Sequence, residues 1–148
     1  MNVADIMTVD PVTICQDRAL RDALGIMEHS GCHHLPVTGS DGHIVGIISD
    51  RDCRIALNSP ATPPEDWRNN KAAQNILVRS VMTPAPIIVE PDASADEAAR
   101  LMLSHHISSL PVMRSETLIG IITTSDILSA FIRLSKNIPE EVEDLSSR

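Results

Sequence analysis

The chain is written twice. Met7-Thr8 recurs as Met82-Thr83, and at the same offset of 75 residues Pro11 matches Pro86, Asp17 matches Asp92, Ala23 matches Ala98 and Met27 matches Met102. Leu35-Pro36-Val37 matches Leu110-Pro111-Val112. One residue is then lost in a turn, so Gly46-Ile47-Ile48 matches Gly120-Ile121-Ile122 and Asp52 matches Asp126 at an offset of 74. Between Val3 and Cys53, 15 of 51 positions are identical across that single-residue gap. Conservative matches (Val12/Ile87, Ile14/Val89, Ser49/Thr123) keep the same register. An internal repeat of this kind means one supersecondary unit built twice. A unit of this size is too small to bury its own sheet, so the two copies are expected to pack together.

Each copy has the same expected elements. An extended piece, Pro11-Val12-Thr13-Ile14 or Pro86-Ile87-Ile88-Val89, reads as an edge strand because of its proline and β-branched residues. A helix follows. In the second copy Ser94 and Glu97 form an S-x-x-E capping box, and Ala95, Ala98, Ala99, Leu101 and Met102 recur at helical spacing. In the first, Leu20, Ala23, Leu24 and Met27 form the apolar set, Gly31 suits the position after the helix, and Asp17 is the expected cap because Ala19 stands where Ser94 does. A hairpin comes next, from Leu35-Pro36-Val37 through Ser40-Asp41-Gly42 into Ile44 to Ile48, and from Leu110 through Ser115-Glu116 to Ile122. The continuous Ile/Val runs predict strands buried on both faces. A second helix starts at Ser49 or Thr123. The fold class is therefore α/β: tandem β-α-β-β-α repeats packed about a pseudo-twofold axis.

The expected domains are residues 1–57 and 78–136 for the repeats, 58–77 for a linker carrying Pro60, Pro63, Pro64 and Trp67, with a short helix at Lys71–Asn75, and 137–148 for an acidic, frayed tail. Composition narrows the function classes. A net charge of −8 repels phosphate backbones and argues against nucleic acid. Trp67 and Phe131, the only aromatics, cannot make a base-stacking platform. No apolar run reaches membrane-spanning length, and Met1 to Asp10 lacks the basic start of a signal peptide. Cys15, Cys32 and Cys53 are odd in number and lack C-x-x-C spacing, which suggests a reducing, cytoplasmic setting.

The ordered motifs carry a family resemblance. Asp5-Ile6-Met7-Thr8-x-x-Pro11-Val12-Thr13, His34-Leu35-Pro36-Val37 and Gly46-Ile47-Ile48-Ser49-x-x-Asp52 resemble the CBS (cystathionine-β-synthase) domain. Val81-Met82-Thr83-x-x-Pro86, Ser109-Leu110-Pro111-Val112 and Gly120-Ile121-Ile122-Thr123-x-x-Asp126 repeat the pattern, and the pair is similar to a Bateman module over about Val3 to Ser135. The resemblance implies a free-standing regulatory module, often a disc-shaped homodimer. It implies binding of an adenosyl effector (AMP, ADP, ATP, S-adenosylmethionine or NAD), no required cofactor, and action on an effector protein that the sequence does not identify.

The resemblance also implies residue roles. The acid of S/T-x-x-D accepts hydrogen bonds from the ribose hydroxyls, which places Asp52 and Asp126; a carboxylate suits two adjacent hydroxyl donors. Ser49, Thr123 and Ser125 sit near the phosphates at a helix start. The implied clefts are composite. One joins Thr8, Thr13 and Cys32-His33 to Thr123, Ser125 and Asp126; the other joins Thr83, Ile88 and Ile107-Ser108 to Ser49, Arg51 and Asp52. His33 and His34 stand where some nucleotide-binding relatives carry a basic pair, whereas Ser108 and Ser109 stand there in the second copy. Arg51 and Arg54 face Ser125 and Leu128 in the comparison of copies. The Asp52 cleft is therefore expected to prefer phosphorylated adenosines and the Asp126 cleft less charged ligands or none. With so few aromatics, adenine is expected between aliphatic surfaces such as Val12, Ile14, Ile47, Ile87 and Ile121.

Plainer readings stand beside these. Ser49-x-x-Asp52 and Thr123-x-x-Asp126 also fit a capping box, and the two roles are compatible. His29, Cys32, His33 and His34 invite a metal reading, but neighbours on an extended segment point to opposite faces, so no metal site is expected. His105 and His106 fit a solvated helix end, Cys53 a buried small residue rather than a redox-sensitive group, and Met7, Met27, Met82 and Met102 core filling. No G-x-x-x-x-G-K, G-x-G-x-x-G or G-x-S-x-G motif is present, and no catalytic residue is expected. The rival to a ligand sensor is a structural dimerisation module with vestigial clefts.

Overall fold

The structure, a computed structural model, describes residues 1–57 and 71–136. Most of the expected linker, Trp67 included, and the acidic tail lie outside the described residues. In chain order the elements are α1 (Val3–Ile6), β1 (Thr8–Val9), β2 (Ile14–Cys15), α2 (Leu20–Ser30), β3 (His34–Thr38), β4 (Ile44–Ser49), α3 (Asp50–Ala56), α4 (Lys71–Asn75) and a 3-10 turn (Val78–Ser80). They continue with β5 (Thr83–Pro84), α5 (Ala95–His105), β6 (Ser109–Arg114), β7 (Thr117–Thr123) and α6 (Thr124–Lys136). Among the described residues no helix is long and apolar enough to cross a membrane.

These elements form two compact units that divide the chain differently from the repeats. Residues 11–86 form one, the central unit; residues 1–10 with 87–148 form the other, the flanking unit. The central unit holds a four-stranded sheet in the order β2-β3-β4-β5. Here β2 runs parallel to β3, while β3/β4 and β4/β5 are antiparallel. The flanking unit repeats the plan. Its sheet runs β1-β7-β6, both pairs antiparallel, and Val89 bridges Val112 in parallel where β2 stands in the central sheet. Both hairpins shift register at matching places, Val37/Thr38 and Val112/Met113.

Each Met-Thr motif thus seats on the last strand of the other repeat. Thr83 pairs with Ile47 on β4, and Thr8 pairs with Ile121 on β7. Glycine makes the approach possible. A Cβ on Gly46 would meet Met82 Sδ at 2.6 Å and the Thr83 carbonyl oxygen at 2.9 Å; on Gly120 it would meet Met7 Sδ at 2.6 Å and the Thr8 carbonyl oxygen at 2.8 Å. Asp10 and Ala85 follow at matching positions with φ of 49° and 47°, turning the chain off the strand.

Local expectations hold in part. Gly31 closes α2 at φ 68°, and Ser94 caps α5 by accepting from the Glu97 amide at 3.0 Å. The reciprocal half of that capping box is not made. Asp17 does not cap α2; it pairs with Arg79 instead. The Leu20 amide donates to the Ile76 carbonyl at 2.9 Å, and Ala19 bridges Leu77, so backbone from beyond α4 serves as the cap. The edge strands are shorter than expected. Regular pairing covers only Ile14–Cys15 in the first copy and the single Val89 bridge in the second; Pro11 and Pro86 have no amide to donate, and the two residues after each proline are also outside the ladder. β6 is buried along most of its length, but β4 is buried only at Gly46 and Ile48.

Each unit has its own core. Leu20, Leu35, Val37, Ile48, Cys53 and Val78 are fully buried in the central unit; Val3, Ala98, Leu110, Val112 and Ile122 are fully buried in the flanking unit. Val3 and Val78 are repeat equivalents that enter different cores. Gly46→Ala and Gly120→Ala are each expected to destabilise the fold by about 1–3 kcal/mol, because the added methyl meets a backbone oxygen that cannot swing away. Urea unfolding of the two variants measures this.

Candidate functional site

Each S/T-x-x-D motif sits where a sheet strand hands over to a helix. Ser49 ends β4 and caps α3: the Asp52 amide donates to Ser49 Oγ at 3.1 Å and the Ser49 amide donates to Asp52 Oδ2 at 2.9 Å. At the end of β7 the Thr123 amide donates to Asp126 Oδ2 at 2.9 Å, and the Thr123 hydroxyl donates to the same oxygen at 3.2 Å. Both carboxylates are half-buried. Among the described residues Oδ1 of neither aspartate accepts a hydrogen bond. Capping thus fixes the orientation of each carboxylate while using one of its oxygens.

Thr83 shares the central unit with Ser49, Arg51 and Asp52, and Thr8 shares the flanking unit with Thr123, Ser125 and Asp126. Thr8, Thr83, Arg51 and Ser125 are exposed. Thr13, Cys32, His33 and His34 belong to the central unit; Ile88, Ile107 and Ser108 belong to the flanking unit. Ile88 is 45% exposed, Ile107 is half-buried and Ser108 is exposed. Of the aliphatic residues expected to meet adenine, Val12 is 47% exposed, and Ile47 and Ile87 are half-buried. Ile14 and Ile121 are buried at 4% and 7% exposure, Ile14 within the central core.

Two basic groups of the central unit, His33 and Arg54, share an acidic neighbour. His33 Nδ1 lies 3.2 Å from Asp50 Oδ2, and an Arg54 terminal nitrogen lies 3.9 Å from the same oxygen. The Asp50 amide also donates to the His33 carbonyl at 3.0 Å, tying the start of α3 to the entry of β3. Asp50 therefore offsets part of the cationic character of this end of the unit, which spacing alone did not reveal. Next to it, Leu24, Met27, Gly31, Cys32, His33 and Arg54 line much of a cavity of about 260 Å³.

Burial governs the titrations here. It raises the Asp126 carboxyl above the usual range, opposed by the hydrogen bonds from Thr123. It raises the Cys32 thiol, and it pushes Cys53 up to about 12, helped by Asp52 and Asp50. Cys53 is fully buried and its thiolate is strongly disfavoured, as suits a packing residue. All three cysteines are free. Among the described residues no three His, Cys, Asp or Glu side chains are grouped to hold a metal ion. Burial also lowers His34 below its ordinary value near 6.5, with Asp50 and Asp52 pulling the other way and His33 reinforcing the shift.

The His34 shift has a definite sign. Below its ordinary value near 6.5 the unfolded chain takes up a proton that folded His34 resists, so stability declines as pH falls through that window. Asp126 acts oppositely: its raised value makes stability decline as pH rises from the ordinary aspartate range near 3.8. Urea midpoints at about pH 7.5 and about pH 5.5 are expected to fall for the native chain and to fall less for His34→Gln. Equal falls in both proteins would contradict the assignment.

The comparisons with known proteins bear on the family and the fold. The CBS domain family model matches twice, at residues 3–59 and 78–133. A CBS domain-containing protein of Dictyostelium discoideum is 34% identical over 140 residues, covering 94% of this chain and 97% of that protein. The crystal structure of the CBS domain pair of protein MJ0100, in complex with 5′-methylthioadenosine and S-adenosyl-L-methionine, superposes with a TM-score of 0.74 at 28% identity, covering 88% of this chain and 99% of that one. The crystal structure of CBSX2 in complex with AMP superposes with a TM-score of 0.71 at 27% identity, covering 91% and 98%. The chain belongs to the CBS domain family and carries two copies of the domain.

Proposed function

We propose that the chain is a regulatory module that binds an adenosyl ligand, catalyses no reaction of its own, and works as a homodimer that signals to an effector protein. The observation that carries this reading is the aspartate of each S/T-x-x-D motif. Its Oδ2 is occupied by the cap, and its Oδ1 accepts nothing among the described residues. A carboxylate held in this way can accept from ribose hydroxyls without first losing side-chain freedom. The AMP, 5′-methylthioadenosine and S-adenosyl-L-methionine complexes of the two similar structures support the ligand class. Ser49 with Arg51, and Thr123 with Ser125, stand at helix starts; at α3 the amides of Asp50, Arg51 and Asp52 already donate to the His33 carbonyl, Asp50 Oδ1 and Ser49 Oγ, so the Arg51 side chain rather than free backbone amides is the group proposed to meet an anion there. Thr83 and Thr8 are the proposed neighbours of these groups within their own units.

The two sites are proposed to differ. Arg51, with Arg54 about one turn on, favours phosphorylated adenosines at Asp52, while Asp50 offsets part of the Arg54 charge. Ser125 and Leu128 stand at the corresponding places for Asp126. Burial already raises the Asp126 carboxyl, so that site suits a less charged ligand such as a thioether nucleoside. Control of an effector requires the ligand to bind two states of the module with different affinity. The exposed Leu128, Phe131 and Leu134 of α6, at 62%, 65% and 68%, are apolar surface that a second copy would cover.

Asp52→Asn separates the two roles of the residue. The amide oxygen still accepts from Ser49, so the melting temperature is expected to stay close to the native value. AMP affinity is expected to fall about tenfold or more, the usual worth of a hydrogen bond to a charged group. Thermal shift against AMP, ATP, S-adenosylmethionine and NAD measures both effects. No shift with any of the four would favour a structural dimerisation module with vestigial clefts.

A further inference from the structure

Helices α2 and α5 are repeat equivalents of 11 residues each, offset by 75. Among the differences between their outer faces are two positions one turn apart. In α5 these are Asp96 and Arg100, and Arg100 Nε donates to Asp96 Oδ2 at 2.9 Å. In α2 they are Arg21 and Gly25. The arginine that lies along the helix in one copy is thus missing in the other, and an arginine replaces its acidic partner. No heavy atom lies within 4 Å of where a Cβ on Gly25 would be.

The result is a groove of about 680 Å³ on the central unit, lined in part by Val12, Arg18, Arg21, Gly25, Ile26 and His29. Arg18 is matched by Asp22, its Nε 3.1 Å from Oδ2. Arg21 has no ion pair or side-chain hydrogen bond among the described residues. The floor is aliphatic, and Val12 is 47% exposed. The groove therefore suits a segment offering both an aliphatic side chain and a carboxylate. Residues 137–148 are such a segment: Ile138, Val142 and Leu145 interleave with Glu140, Glu141, Glu143 and Asp144.

We propose that the α2 groove is a docking site for the acidic segment 137–148 of a second copy of this chain. Val12 and Ile26 receive an aliphatic side chain of the segment. Arg21 receives one of its carboxylates, completing across two copies the arginine–carboxylate pair that α5 makes internally. The chain is acidic overall, with net charge −8, so this cationic groove runs against its general self-repulsion and favours one mode of contact.

The test uses a fluorescently labelled peptide of residues 137–148 and the full chain with Glu140, Glu141 and Glu143 changed to Gln and Asp144 to Asn. The expected result is saturable binding that weakens at raised salt and falls about tenfold or more in Arg21→Glu, the worth of a charge-assisted contact. The double variant Arg21→Asp/Gly25→Arg transplants the α5 arrangement, should fold at least as well because Gly25 is open and helical, and is expected to bind no peptide. A peptide with Lys at the four acidic positions should recover binding to Arg21→Glu. Absent binding, or equal binding by the transplanted variant as judged beside its unchanged melting curve, overturns the proposal. The native chain at its lowest measurable concentration should bind the peptide as well as the tail-neutralised chain does; exclusion at every concentration would show that each chain holds its own segment and overturns docking between copies.

Discussion

Everything in each unit hangs on a missing methyl group. At Gly46 and Gly120 the absent Cβ lets a threonine carbonyl come within 3 Å of where it would stand, with a methionine thioether folded over the same spot. That contact seats β5 on β4 and β1 on β7. It also mixes the repeats, because the Met-Thr segment of one copy completes the sheet of the other. Close packing leaves little tolerance at such a place, and a flexible thioether is the side chain best able to follow the irregular surface. Three residues further along the same strands come Ser49 and Thr123. One strand thus holds the docking glycine near its middle and the candidate ligand residue at its end.

The helix start supplies the second constraint. A cap needs an acceptor at the first turn, and a ribose needs an acceptor at a cleft. Asp52 and Asp126 have two oxygens and can serve both. The cap orders the carboxylate in advance, which lowers the entropy a ligand must overcome. The proposed difference between the sites is electrostatic. In the central unit Asp50 lies beside His33 and Arg54 and is followed by Arg51, whereas the flanking unit has Ser108, Leu128 and Ser125 at the equivalent places and a carboxyl raised by burial.

Much of this was legible in the sequence, for identifiable reasons. The repeat marked the β-α-β-β-α plan shared by the copies but not the short α1, β1 and β5 that precede it, Ser94 and Gly31 marked the ends of their helices, and the S/T-x-x-D pattern pointed to the capped aspartates. Tertiary contacts were less visible. Asp17 was the local candidate to cap α2, but the Ile76 carbonyl reaches Leu20 from far along the chain, and Asp17 pairs with Arg79. Met7 and Met82 looked like ordinary core residues because their partners are glycines in the other repeat. Asp50 offsets His33 through a contact across 17 residues, which no spacing rule marks. The clue that was available lay in comparing the copies: Met-Thr and Gly-Ile-Ile recur together, as two surfaces that meet would.

The central claim is that a capped aspartate offers its remaining oxygen to ribose. A crystal structure of the chain grown with AMP and 5′-methylthioadenosine tests it most directly. The account predicts a nucleoside whose ribose hydroxyls lie within hydrogen-bond distance of Asp52 or Asp126 Oδ1, with the cap to Ser49 or Thr123 intact. A nucleoside bound with both aspartates untouched, or a cap broken to reach the ligand, would contradict it.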